Sequence, residues 1–400
     1  MNPLLAARVG RIKPSPTLAV TAKAAELRRA GKDVIGLGAG EPDFDTPAHI
    51  KQAAIDAIRE GFTKYTAVDG IIELRQALSE KFRRDNDIDY APDQILVSTG
   101  GKQSLFNAFE AILNPGDEVI IPAPFWVSYP DMVLLCDGEP IIISAGADQG
   151  FKLRPDQLGR VLNEKTRAFV LNSPSNPTGA AYTRDELRAL ADVLLEHPRV
   201  MIITDDMYEH IYWAKEPFCS LLTVAPELYD RTITINGVSK AYAMTGWRIG
   251  YAGGPKPIIA AMKKIQSQST SNTCSIAQRA ALAAVSGDQS CIAEMCVAFK
   301  ERHDYLIDAL DRLPGFSCLP GAGTFYAFPD VSDAIAAMDG ISNDVQFSEH
   351  LLEKAGVAVV PGSAFGAPGH VRLSFACGLD TLERAVGRIA AALPLAAGAA

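Results

Sequence analysis

Seven short apolar runs, rich in β-branched residues, set the class of fold open to this chain: Ile95–Ser98, Glu118–Ile121, Pro140–Ile143, Ala168–Leu171, Val200–Thr204, Thr232–Asn236 and Arg248–Ala252. Each is too short for a helix and reads as a buried strand. Helical spacing fills most of the intervals, notably Lys102–Leu113, Val127–Cys136 and Arg184–His197. The pattern therefore predicts an α/β fold built on a seven-stranded, mostly parallel sheet. Only eleven residues separate Asn236 from Arg248, which is short for a crossover carrying a helix, so the last run is expected to be the one antiparallel strand. Four hundred residues, 48% of them apolar, exceed what one core usually serves. From Glu294 onward, helical patterns alternate with the runs Gly321–Tyr326 and Gly369–Phe375. The expected division is a large domain over 47–290, a smaller α+β domain over 291–400, and an N-terminal segment, 1–46, packing with the smaller one. The Ala- and Gly-rich tail from Ala391 to Ala400 is expected to fray.

Charge and cysteine usage exclude several functions. A net charge of −9 leaves no basic stripe for nucleic acid, although a local positive pocket for small anions remains open. No stretch approaches the ~20 apolar residues of a membrane span, and Met1–Arg8 lacks the apolar core of a signal peptide, so a cytoplasmic protein is expected. Seven cysteines without close paired spacing argue against a disulfide framework or a metal site and are expected to be small buried hydrophobes.

In an open α/β sheet, ligands bind beyond the carboxyl ends of the strands. Five loops converge there: Thr99-Gly100-Gly101-Lys102, Pro122–Trp126, Asn172–Gly179, Asp205-Asp206-Met207-Tyr208 and Gly237–Lys240. Lys240 places an amine just past a strand, with Arg248 eight residues on. A lysine whose surroundings lower its pKa can condense with an aldehyde to a Schiff base, and a nearby Arg can hold a phosphate, which are the requirements of a pyridoxal phosphate enzyme. Taken alone, Lys240 reads as readily as a solvated loop lysine.

The other loops weigh similarly. Gly100-Gly101 opens a helix and could cradle a phosphate or simply make a βα turn; Lys102 tilts the balance, because a cation in the first helical turn opposes the helix dipole unless an anion is near. Asp205 could keep a pyridine nitrogen protonated or cap a helix, with Asp206 expected to be the solvated neighbour. Tyr208 could donate to a ring oxygen or pack, Asn176 sits in a strong turn signal, and Trp126 could stack on a ring or belong to the core. Arg372 could pair with a carboxylate, or lie on the surface. Gly36-Leu37-Gly38-Ala39-Gly40 resembles a dinucleotide fingerprint but is followed by a turn, and the third glycine is misplaced.

With these residues in view, the chain closely resembles the fold-type I pyridoxal phosphate aminotransferases, in the bacterial aspartate aminotransferase branch with Gly-Gly-Lys-Gln after the first strand. The likeness runs from Lys13-Pro14-Ser15 and Ala39–Phe44 to Gly369–Ser374. It implies pyridoxal 5'-phosphate as cofactor and Lys240 as the Schiff-base lysine and proton shuttle. Asp205 would lie on the pyridinium, Tyr208 and Asn176 on the ring oxygen, and Trp126 on the ring face. Ser239, Arg248 and the amides of Gly101 and Lys102 would hold the phosphate. Arg372, Asn176 and Gly40 would take the substrate α-carboxylate, and Lys102, with Ser15 and Thr17, a distal one. Tyr65 would reach the neighbouring subunit's phosphate, making a homodimer part of the site. One departure is Gly237, where many relatives carry a phosphate-binding serine.

The activity this implies is ping-pong exchange of an amino group between aspartate or glutamate and 2-oxo acids. A rival is the same reaction on prephenate, aromatic or kynurenine-type substrates. A decarboxylase or β-lyase is permitted by fold and cofactor, whereas a cofactor-binding regulator would need a DNA-binding module that the first forty-five residues have no room for.

Overall fold

A computed structural model describes residues 4–394. Its central sheet contains the seven predicted strands, now Ile95–Ser98, Glu118–Ala123, Glu139–Ser144, Thr166–Asn172, Met201–Asp205, Thr232–Gly237 and Gly250–Gly253. Taking each strand by its first residue, the order across the sheet is 95, 250, 232, 201, 166, 118, 139. Gly250–Gly253 runs antiparallel to both of its neighbours, and the other pairs are parallel.

The sheet is buried on both faces, which is why its strands read as nearly continuous apolar runs. Alternate residues enter two different clusters: Ile95, Val97, Phe169, Leu171 and Ile202 pack on one face, and Leu96, Ala168, Val170, Met201 and Ile203 on the other. The edge strand Glu139–Ser144 is the exposed exception and carries Pro140, a residue edges tolerate because its missing N–H breaks no ladder. Helices fill the intervals as expected, over Gly101–Ile112, Ser128–Leu135 and Arg184–Leu195. The last begins with a capping box, Thr183 accepting from Glu186 N while Glu186 accepts from Thr183 N, which satisfies two otherwise orphaned donors.

Beyond the sheet, helix Ser290–Asp311 and the C-terminal helix Leu379–Ala392 accompany a three-stranded antiparallel sheet of Tyr326–Ala327, Val371–Ser374 and Val360–Pro361. Ile35–Gly36 pairs in parallel with Val357–Ala358. Ile35 and Leu37 share a core with Phe299, Phe347 and Leu382, so part of the N-terminal segment packs with the C-terminal elements.

Several expectations need correction. Arg248 does not begin a strand; it sits in the left-handed region at φ 56°, ending a short 3-10 turn over Thr245–Trp247, and the strand starts at Gly250. All seven cysteines are free, but only Cys136 and Cys318 are buried, and Cys274 is exposed. Of the tail expected to fray, Ala391 and Ala392 are helical, and residues 395–400 lie outside the described residues. Among the described residues, no helix is long and apolar enough to cross a membrane.

Candidate active site

The carboxyl ends of the parallel strands open into a cavity of ≈ 380 Å³. Of the residues to which the resemblance gives a ligand role, all border it except Tyr65, Ser15 and Thr17 included. Tyr65 is 92% exposed. Its predicted role was toward another subunit, and it contributes nothing to the cavity of its own chain.

Two cations lie deep in this cavity. Lys240 Nζ donates to the Gly40 carbonyl. Burial first, then the Arg372 guanidinium, lower its pKa from the ordinary lysine value to about 8, against the opposing influence of Glu41. Arg372, expected on the surface if it had no partner, is 2% exposed. Its Nη1 donates to Asn176 Oδ1 at 2.8 Å and Nη2 to the Gly38 carbonyl at 2.8 Å, while Nε has no partner. Beneath it lies the Tyr326 ring, 4.3 Å from the guanidinium carbon.

Asp205 ends strand Met201–Asp205 with its side chain buried. It accepts from the Tyr129 hydroxyl at 2.6 Å and from Met207 N at 3.3 Å. Burial pushes its pKa up despite these bonds, and a cation placed beside it would draw it back toward the charged form. Asp206, predicted to be solvated, is instead 3% exposed with Oδ2 unpartnered, and burial, then Glu209 and Asp205, push its pKa well above the carboxylate range. Asp206 N continues the sheet ladder, donating to the Ile235 carbonyl of the neighbouring strand at 2.9 Å.

The glycine turn is shaped by backbone crowding. Gly100 has φ +79°, and a Cβ on Gly250 would fall on the backbone of Gly100 and Gly101, so only glycines allow that strand to approach. Arg248 covers the turn, its guanidinium lying where a Gly100 Cβ would project, and Nη1 bonds the Thr245 carbonyl at 2.8 Å. The Gly101 and Lys102 amides, in the first turn of their helix, have no carbonyl four residues back within it. Lys102 places Nζ 5.0 Å from the Trp126 ring centre, and burial, then Arg248, lower its pKa. Trp126 stands edge-on to Tyr129 at 5.3 Å. At Gly237, where a serine was noted as missing, a Cβ would meet the Ile249 carbonyl at 3.1 Å and Met207 Cε at 3.2 Å.

Lys102, Lys240, Arg248 and Arg372 thus face one cavity, and among the described residues none of the four forms a salt bridge. In a chain of net charge −9, such a concentration of unpaired cations calls for anionic ligands at several points.

Residues 32–389 match the sequence model of the family described as aminotransferase class I and II. The chain belongs to that family. This aminotransferase is 58% identical over 394 residues to the aspartate/prephenate aminotransferase of Nitrosomonas europaea, covering 97% of this chain and 99% of that protein. It is 56% identical to the aspartate/prephenate aminotransferase of Cereibacter sphaeroides, covering 96% and 97%. Among solved structures, aspartate aminotransferase from Rhizobium meliloti superposes with a TM-score of 0.94 at 49% identity, covering 98% of this chain and 99% of that one. Aspartate aminotransferase from Thermus thermophilus with maleate gives 0.91 at 45%, covering 97% and 99%.

The aminotransferase also has site residues that the sequence reading passed over. Tyr326 bonds the Tyr208 hydroxyl at 2.9 Å, and its own hydroxyl fills the space beside Gly40 that a Cβ would take. Tyr129 supplies the hydroxyl to Asp205, and Asn172 ties Asp205 O to Asn176 N through its two amide atoms. Tyr129 follows Trp126 by three residues and Asn172 ends a predicted strand, so position alone marked them. Tyr326 carried no such mark, since it comes from a strand more than a hundred residues from Tyr208.

Proposed function

We propose that this aminotransferase exchanges an amino group between aspartate or glutamate and 2-oxo acids, in two ping-pong half-reactions, with pyridoxal 5'-phosphate as cofactor. The observation that carries the reading is the buried, carboxylate-free Arg372, with Nε unpartnered, beside a lysine of depressed pKa. The residues present fit the cofactor. Arg248, Ser239 and the Gly101 and Lys102 amides would take its phosphate, Asp205 its ring nitrogen, Tyr208 and Asn176 its ring oxygen, and Trp126 its ring face. The bound cofactor supplies an electron sink for the pair left when the substrate loses its α-proton.

The protein's own part is to bind, orient and move protons. Arg372, with Asn176 and Gly40 at its side, would take the α-carboxylate as a two-pronged donor, turning the Cα–H bond toward Lys240. The Lys240 amine would remove that proton as general base and return it in the reverse sense; its pKa of about 8 suits both directions near neutral pH. Lys102, with Ser15 and Thr17 bordering the same cavity, would take a distal carboxylate. The maleate named with the Thermus structure is a dicarboxylate and supports that class of ligand.

Prephenate, which also carries two carboxylates, is the second reading, favoured by the names of the Nitrosomonas and Cereibacter relatives. A cytoplasmic homodimer is the setting we infer. Seven free cysteines suit a reducing compartment, and exposed Tyr65 suits a partner surface. The N-terminal strand packed on the C-terminal core supports the division at about 46 and 290. The test is a panel of amino donors offered with 2-oxoglutarate, or with oxaloacetate where glutamate is the donor, to enzyme reconstituted with pyridoxal phosphate. Selective turnover of aspartate, glutamate or the amino product of prephenate is expected, and lost in Lys240→Ala. Preference for neutral donors, or turnover without keto acid, would reject the reading.

A further inference from the structure

Behind the cavity, and touching none of it, lies a second charged cluster in the core. Lys81, from helix Ile72–Asn86, is 1% exposed and pairs with Glu209, which is itself buried. Lys81 Nζ also donates to Asn86 Oδ1 at 2.7 Å, and Asn86 Nδ2 donates to Glu209 Oε2 at 2.6 Å. A third donor to Glu209 is Asn236, whose Nδ2 donates to Oε1 at 2.7 Å. Asn236 in turn accepts from Gly237 N through Oδ1 at 2.7 Å. His210 Nε2 lies 3.3 Å from Glu209 Oε1 and 3.4 Å from Asp85 Oδ2. These three could suggest a metal site, but Lys81 already stands against Glu209 and within 3.7 Å of Asp85.

The position of this cluster gives it a different use. Glu209 follows Tyr208 directly, on the turn that carries Asp205, and Asn236 stands four residues before Lys240 at the end of the neighbouring strand. The ladder between these two strands ends at Asp205 and Ile235, with a last bond from Asp206 N to the Ile235 carbonyl, and the Glu209–Asn236 bond joins the two segments beyond it. We propose that Glu209 is a positioning residue, clamping the Asp205–Tyr208 turn to the loop carrying Lys240 through Asn236, with Lys81 as the buried counter-charge. A carboxylate is suited to this, because it accepts from three directions at once and its charge-assisted bonds are stronger than neutral ones. Burying a lysine to hold it is costly unless geometry is gained. The inference rests on the reading of Lys240 and Asp205 given above.

The test uses the full-length enzyme with Asn236→Ala, which removes the link and leaves the Lys81–Glu209 pair. Small displacements of reacting groups cost up to about 100-fold in rate. The expected result is a fall in kcat of about 10- to 100-fold with KM for the amino donor within about threefold. Titration of the apoenzyme with pyridoxal phosphate should show about tenfold weaker binding, and the gap in Tm between loaded and apo forms should narrow. A lower Tm in both forms alike, with kcat and cofactor affinity unchanged, would overturn the proposal. If Asn236→Ala does not fold, Asn236→Leu, of similar size and without a donor, removes the same bond. The same fall in kcat and cofactor affinity is expected, and a folded Asn236→Leu with both unchanged refutes the clamp. Failure of wild-type enzyme to bind pyridoxal phosphate would instead reject the reading of the site.

Discussion

Replacing Lys240 by methionine should abolish turnover and yet stabilise the apoprotein near neutral pH. An amine whose pKa falls from the ordinary lysine value of 10.5 to about 8 binds protons less readily folded than unfolded. Its protonated form therefore costs stability below the folded value, and the cost fades as pH rises from about 8 toward 10.5. The full shift corresponds to about 3 kcal/mol. This is an upper value, because the amine borders an open cavity where water screens part of the penalty. Methionine has a similar length and no charge, but it leaves the Gly40 carbonyl without its donor, which takes back about 1 kcal/mol. The net expectation is a gain of about 1 to 2 kcal/mol at pH 7 that shrinks nearly to zero by about pH 9.5. Urea unfolding of both apoproteins at several pH values and one protomer concentration measures it. A variant no more stable than wild type at pH 7, with a parallel pH profile, would show that Lys240 is not strained by burial.

Three further substitutions test the remaining assignments. Asp205→Asn should still bind pyridoxal phosphate but lose most of kcat, since a neutral amide cannot hold a protonated ring nitrogen; full activity would reduce Asp205 to a buried packing acid. Lys102→Ala should lower kcat/KM for aspartate and glutamate by about 10- to 150-fold, the worth of a charge-assisted hydrogen bond, and hardly alter alanine or phenylalanine. Equal losses across the panel would mean that Lys102 serves only the field around the phosphate. Mixing inactive Lys240→Ala with a severely impaired Tyr65 variant should restore activity through heterodimers holding one intact site, and no recovery after demonstrated subunit exchange would argue against a shared site.

What could be read from the sequence, and what could not, divides along a physical line. Strands buried on both faces announce themselves as apolar runs, and the loops just after such runs meet at one edge of the sheet, so periodicity sufficed to bring Asp205, Asn176, Lys240 and the Gly101–Lys102 turn to one cavity. Arg248 borders the cavity as expected, but in a conformation other than the strand the pattern predicts. A strand reading extends its apolar neighbours Ile249 and Tyr251 backward, whereas the chain needs a left-handed residue there to bring the guanidinium over Gly100. Asp206 misled for a related reason. An acid in a loop reads as solvated, and nothing local reveals that this one is carried into the core, where burial pushes its pKa up. Tyr326, Glu209 and Asn236 were missed because their roles depend on contacts between elements distant in sequence. Local pattern specifies which groups reach the ligand edge; their mutual orientation is set by buried polar partners that resemble ordinary surface residues until the chain is folded. That is why the Asn236–Glu209 link, which borders no ligand, is the informative place to perturb the site without touching it.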